Sequence, residues 1–112
     1  MIYNSNDIFI NKVIDFNIGD ILEEYYKSSS LRRHHLPINL VSIDKIYPHQ
    51  ELLSTNKIID IIKNGILEIK DFEDILLIHK DNKYYIVDGH HRIAAQILIN
   101  KKDIEAKIYS LN

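Results

Sequence analysis

The residues best placed to do chemistry are Asp88-Gly89-His90-His91-Arg92. They lie between the apolar Tyr84-Tyr85-Ile86-Val87 and the helix-forming Ile93-Ala94-Ala95, so a strand end, a sharp turn and a helix start share one short segment. The first backbone N–H groups of a helix have no partner inside it, and the helix dipole adds partial positive charge there. Such a terminus binds anions. Gly89 allows a phosphate to approach the backbone, Arg92 offers a bidentate contact to phosphate oxygens, and His91 adds a donor. Basic side chains in a first turn oppose the dipole unless an anion sits among them. An ordinary strand–turn–helix with solvated polar residues is the alternative. Five consecutive polar or turn residues between two strongly apolar elements favour the anion site, without saying which anion.

The rest of the chain must position this segment. Ile8 to Phe16 alternates loosely and suggests a short strand. A helix is expected from about Ile18 through Tyr26, with Asp20 as its N-cap, ending at Ser28-Ser29-Ser30. Pro37 blocks helix continuation, and a strand follows from Ile38 to Ile43, with Pro48 closing the unit. Ser54-Thr55 can cap a helix over 57–64, with Gly65 at its C-terminal end. Ile58, Ile61 and Ile62 mark its buried stripe. Strands over 75–80 and 83–87 flank Asp81-Asn82, which suits a tight hairpin turn. A helix over 90–100 buries Ile93, Ala94, Ile97 and Leu98, and a strand over 105–111 closes the chain. The class is α+β: one compact domain with a small mixed sheet and helices.

Composition narrows the choices. The 112 residues carry 46% hydrophobic and 27% charged side chains, the balance of a single folded domain. A formal charge of -2 gives no global drive toward nucleic acid. With no cysteine, disulfides, thiolate metal sites and thiol catalysis are excluded. Apolar runs fall far short of the ~20 residues that span a bilayer, and Met1-Ile2-Tyr3-Asn4-Ser5-Asn6-Asp7 lacks the features of a signal peptide. A cytoplasmic location without membrane contact is the expectation.

Other clusters read more plainly. His34-His35 and His90-His91 are adjacent pairs whose side chains diverge, which is poor zinc geometry. Arg32-Arg33-His34-His35 reads as a surface turn rather than a nucleic-acid patch. Tyr25-Tyr26 and Tyr84-Tyr85 could stack a base, but half-buried packing is the commoner role. Glu23-Glu24 reads as a solvated helix face.

Asp88-Gly89-His90-His91-Arg92-Ile93-Ala94-Ala95 resembles the signature of the ParB/sulfiredoxin-like superfamily. The likeness runs from about Ile38 to Leu111, implying an N-terminal extension over 1–37 packed on a nucleotide-binding core over 38–112. Sulfiredoxins carry Gly-Cys-His-Arg at the positions of Gly89, His90, His91 and Arg92, so His90 replaces their nucleophile. His91 and Arg92 match the phosphate-binding pair, and Lys57 falls where a helix-start lysine approaches the nucleotide. Partition proteins of the superfamily add a DNA-reading domain after the motif, and this sequence ends one strand beyond it. Nucleic acid is therefore disfavoured as a partner.

The free serine kinase branch resembles Asp88-Gly89-His90-His91-Arg92 without a change. It also carries Pro-His-Glu before the middle helix, where this chain reads Pro48-His49-Gln50-Glu51. Gln50 stands in the position of the catalytic glutamate and cannot accept a proton; Glu51 follows it. The resemblance implies a small phosphotransferase using ATP, ADP or CTP with Mg²⁺ on a hydroxyl- or amino-bearing metabolite. Gly89, His91, Arg92 and Lys57 would bind phosphate, Asp88 would hold Mg²⁺ or the acceptor, and His49 would meet the substrate. Gln50, Glu51 and His90 complete the candidate reacting centre. The alternative is a nucleotide-binding regulatory module without turnover, with a protein partner or a second copy of the chain left open. A ParB-like nuclease has the least support.

Overall fold

The computed structural model describes residues 2–4, 8–9, 18–29, 36–50, 52–64 and 75–111. A five-stranded mixed sheet holds β2 (Ile38–Ser42), β3 (Ile46–Tyr47), β5 (Leu76–Lys80), β6 (Lys83–Asp88) and β7 (Asp103–Ser110). Their order is β2-β7-β5-β6-β3. β5 runs antiparallel to β6 and parallel to β7; β2 is antiparallel to β7, and β3 is parallel to β6. A separate antiparallel pair joins β1 (Ile2–Asn4) to β4 (Leu52–Ser54). The helices are α1 (Ile18–Ser29), α2 (Thr55–Lys63) and α3 (His90–Leu98), with a 3-10 turn at Ile43–Lys45. This is a small α+β domain.

The central strands are buried on both faces, so the apolar run Ile75-Leu76-Leu77-Ile78 shows no polar alternation. Successive residues take opposite sides. Leu77 and Ile86 join Ile46, Ile104, Ala106 and Ile108 in a core that also receives Ile58 of α2 and Ile93 and Ala94 of α3. Leu76, Ile78 and Tyr85 point the other way, onto Ile21 and Tyr25 of α1 and onto Leu111. Tyr25 and Tyr109 pack edge to face at 5.1 Å. Exposed pairs such as Lys27–Glu23, at 3.0 Å, add little to this burial.

Most expected elements are present, with instructive differences. The β5–β6 turn at Asp81-Asn82 has positive φ at both residues, 53° and 64°, which a two-residue hairpin needs to match strand twist. α1 begins at Ile18, so Asp20 lies in its first turn rather than at its cap. Its charge still favours that end of the helix. Ser54 caps α2, its Oγ accepting the Lys57 N–H at 3.4 Å, and Asn64 forms the C-cap. Gly65 lies outside the described residues, as do 10–16 of the expected first strand. Ile8 and Phe9 sit in the core and not in a strand. Ile62 and Leu98, expected inside, are 36% and 45% exposed. α2 buries Thr55 and Ile58, while α3 buries His90, Ile93, Ala94, Ala95 and Gln96, so the contact strip of each helix lies to one side of those positions.

Candidate functional site

The site is assembled where β6 hands over to α3. Leu76 pairs with Asp88 and Leu77 with Ile86, a register shift that leaves Val87 without a partner on β5. A bulge of this kind bends a strand end and re-aims the residues beyond it. Gly89 follows with φ 103° and ψ 21°, a left-handed conformation costly to residues with a Cβ. The Ile93 N–H donates to the Gly89 carbonyl at 2.9 Å and starts the helix. The N–H groups of His90 and His91 precede that bond, in the first turn of the helix where no carbonyl of the helix itself can accept them.

Val87, Asp88, Gly89, His90, His91, Arg92, His49, Gln50 and Ile61 line one cavity of about 400 Å³. A cavity of that size suits a small ligand. It unites residues from β6, α3, the 48–50 segment and α2, among them His49 and His90, which lie 41 positions apart in sequence. Asp88 is the one carboxylate among its described lining residues.

The two motif histidines have different jobs from those of solvated basic residues. His90 is buried, and its Nε2 accepts the N–H of His49 at 3.0 Å and of Gln50 at 3.2 Å. The His49 and His90 rings meet edge to face, 4.4 Å between centroids. His91 Nε2 accepts the Ser54 N–H at 3.0 Å. Burial lowers the pKa of His90 from 6.5 to about 3, with His49 and His91 adding repulsion. His91 is lowered by burial and then by the Lys57 charge, and His49 chiefly by burial. All three rings are therefore neutral at pH 7, and His91 keeps Nδ1–H as its donor. His49 Nε2 is buried without a hydrogen-bond partner, as is Thr55 Oγ1.

Seven of the residues singled out in the sequence thus gather at one cavity: His49, Gln50, Asp88, Gly89, His90, His91 and Arg92. Lys57 is exposed and absent from the described lining, although its charge reaches His91. Gln50 Nε2 donates to the Leu52 carbonyl at 2.9 Å, so its amide also braces the loop. Glu51 lies outside the described residues, as does Arg32-Arg33-His34-His35. Tyr84 stacks on His79 at 4.3 Å, and Tyr85 is buried beside Tyr47, so both serve packing. Ile61 and Val87 also line the cavity. For Val87 the sequence signal is its place directly before the turn; Ile61 reads in the sequence only as a core position. Among the described residues no three His, Cys, Asp or Glu side chains form a metal cage, and no helix is long and apolar enough to cross a membrane.

No family model matches the chain. No curated protein matches it either. Among solved structures, the fold is similar to that of a chain described as a free serine kinase in complex with AMP. The two share 25% sequence identity with a TM-score of 0.52, over 66% of this chain and 31% of that one. The fold is therefore kinase-like in this sense, and the chain spans about a third of the kinase it resembles.

Proposed function

We propose that this protein is a nucleotide-binding phosphotransferase of the ParB/sulfiredoxin-like kind, acting on a small hydroxyl- or amino-bearing metabolite. The observation that carries the reading is the convergence of Asp88-Gly89-His90-His91-Arg92 and His49-Gln50 on one cavity at a helix start. The AMP complex of the similar kinase supports a nucleotide as the ligand. The phosphates of ATP, ADP or CTP would rest on the helix-start N–H groups of His90 and His91, where Gly89 keeps the backbone clear of a Cβ. The Arg92 guanidinium would take two phosphate oxygens, and His91 would donate from Nδ1. Lys57 would add charge from the rim.

Mg²⁺ commonly binds through one or two carboxylates together with phosphate oxygens and water, so Asp88 is a sufficient protein ligand. The metal would neutralise phosphate charge. On the acceptor side, His49 and Gln50 would orient the hydroxyl or amine, and Glu51 would take its proton, since an amide at Gln50 cannot. The alternative is a binding module without turnover. It is favoured by one observation: the Gln50 amide, in the position of the similar kinases' glutamate, is committed to the Leu52 carbonyl.

Calorimetric titration with ATP, ADP and CTP, then phosphorus NMR of mixtures with hydroxyl and amine metabolites, separates the readings. Saturable binding with a new phosphoester or phosphoramidate supports the enzyme. Binding without product in every mixture supports the module, and no binding of any nucleotide removes both. Loss of turnover in Glu51→Gln with binding retained would place the base there, whereas unchanged turnover would remove Glu51 from that role.

A further inference from the structure

We propose that His90 and His91 are positioning residues, a pair of uncharged acceptors that clamp the backbone at His49, Gln50 and Ser54 onto the turn at the start of α3. His90 Nε2 takes the N–H groups of His49 and Gln50, and His91 Nε2 takes that of Ser54. These contacts span 41, 40 and 37 positions. The clamped segment carries the cavity residues His49 and Gln50 at one end. At the other, Ser54 caps the helix that bears Lys57. Consecutive residues on a helix point in different directions, so two neighbouring rings can hold two separate points of one loop.

The chemistry requires both rings to be neutral, each with its proton on Nδ1, because a protonated Nε2 meets a backbone N–H donor to donor. Charge around the pair works the same way. The His49 ring meets that of His90 edge to face, and Lys57 on α2 repels a proton on His91. Asp88 and Arg92, of opposite sign, share the cavity wall with both rings. Acid therefore opens the clamp, freeing the acceptor side of the site from the phosphate side. What the clamp serves rests on the phosphotransferase reading, but the clamp itself does not.

Long-range ¹⁵N NMR of the imidazoles and amide hydrogen exchange of the nucleotide-free protein test it. Both rings are expected to show an unprotonated Nε2 and a protonated Nδ1 at pH 7. In His90→Phe the His49 and Gln50 amides should exchange about tenfold faster, the scale of one lost hydrogen bond, with Ser54 little changed. In His91→Phe the Ser54 amide alone should respond. His90→Gln, which sets an amide oxygen near the Nε2 position, should restore part of the protection. An Nε2–H tautomer at either ring, or unchanged exchange in both Phe variants, overturns the clamp. Should those variants not fold, the wild-type tautomers decide. A clamp that passes in a protein binding no nucleotide stands while the functional reading falls, and nucleotide binding with the wrong tautomers shows the reverse.

Discussion

His91 Nε2 lies 3.0 Å from the backbone nitrogen of Ser54, and Ser54 Oγ in turn accepts the N–H of Lys57. One serine therefore couples the first turn of α3 to the first turn of α2. The two helix starts are held together by hydrogen bonds as well as by Ile58 and Ile93 in the core beneath. A phosphate at one terminus would feel the Lys57 charge at the other.

Acid should destabilise the protein through His90. Its folded pKa of about 3 lies below the ordinary 6.5, so the unfolded chain binds a proton that the native state refuses. The contribution is intact above pH 6.5 and is lost progressively as pH falls toward 3. Each pH unit in that window costs roughly 1 kcal/mol from this ring. Urea unfolding between pH 7.5 and 4 measures the slope. His90→Gln, which cannot titrate, should flatten it.

Gly89→Ala should cost about 1–2 kcal/mol, because an alanine must adopt φ near 103° at the strand–helix junction. Equilibrium unfolding gives the number. The same change puts a methyl group where a phosphate would approach, so nucleotide titration should show weakened binding beyond what stability explains.

Arg92→Ala should weaken nucleotide affinity by about tenfold or more, the scale of a charged hydrogen bond. Arg92→Lys should recover only part, since an ammonium has no planar fork. Titration at two salt concentrations checks both statements, with the alanine variant showing the shallower salt dependence. Equal affinities for all three proteins would remove Arg92 from the phosphate site.

Ile58→Ala should destabilise the fold by roughly 2–4 kcal/mol, since this side chain is 1% exposed and anchors α2 in the core. Denaturant unfolding tests it. Hydrogen exchange should quicken along α2, including the Lys57 amide capped by Ser54. By contrast, Ile62→Ala, at a position 36% exposed, should cost well under half as much.

Much of this architecture is legible in the residues themselves. Apolar strands around Asp81-Asn82 announce a hairpin, because few pairs tolerate two positive φ angles. Ser54 announces a helix start, and Gly89 between a strand and a helix announces the sharp left-handed turn that joins them. Local chemistry sets these features, so a sequence window contains them. Exposure of Ile62 and Leu98 was not legible, because it depends on how α2 and α3 lean on the sheet and on each other.

Asp88-Gly89-His90-His91-Arg92, read alone, determined that a strand gives way to a helix at a sharp turn lined with polar side chains. Only the tertiary structure decided what the histidines do there. A sequence shows two adjacent imidazoles; it does not show that chain crossings bring the His49, Gln50 and Ser54 N–H groups to their Nε2 atoms. Helix dipoles and turn preferences are local forces. Burial and the pairing of donors across some 40 residues arise only once the sheet has closed, and they turn His90 from a candidate reacting group into a neutral acceptor.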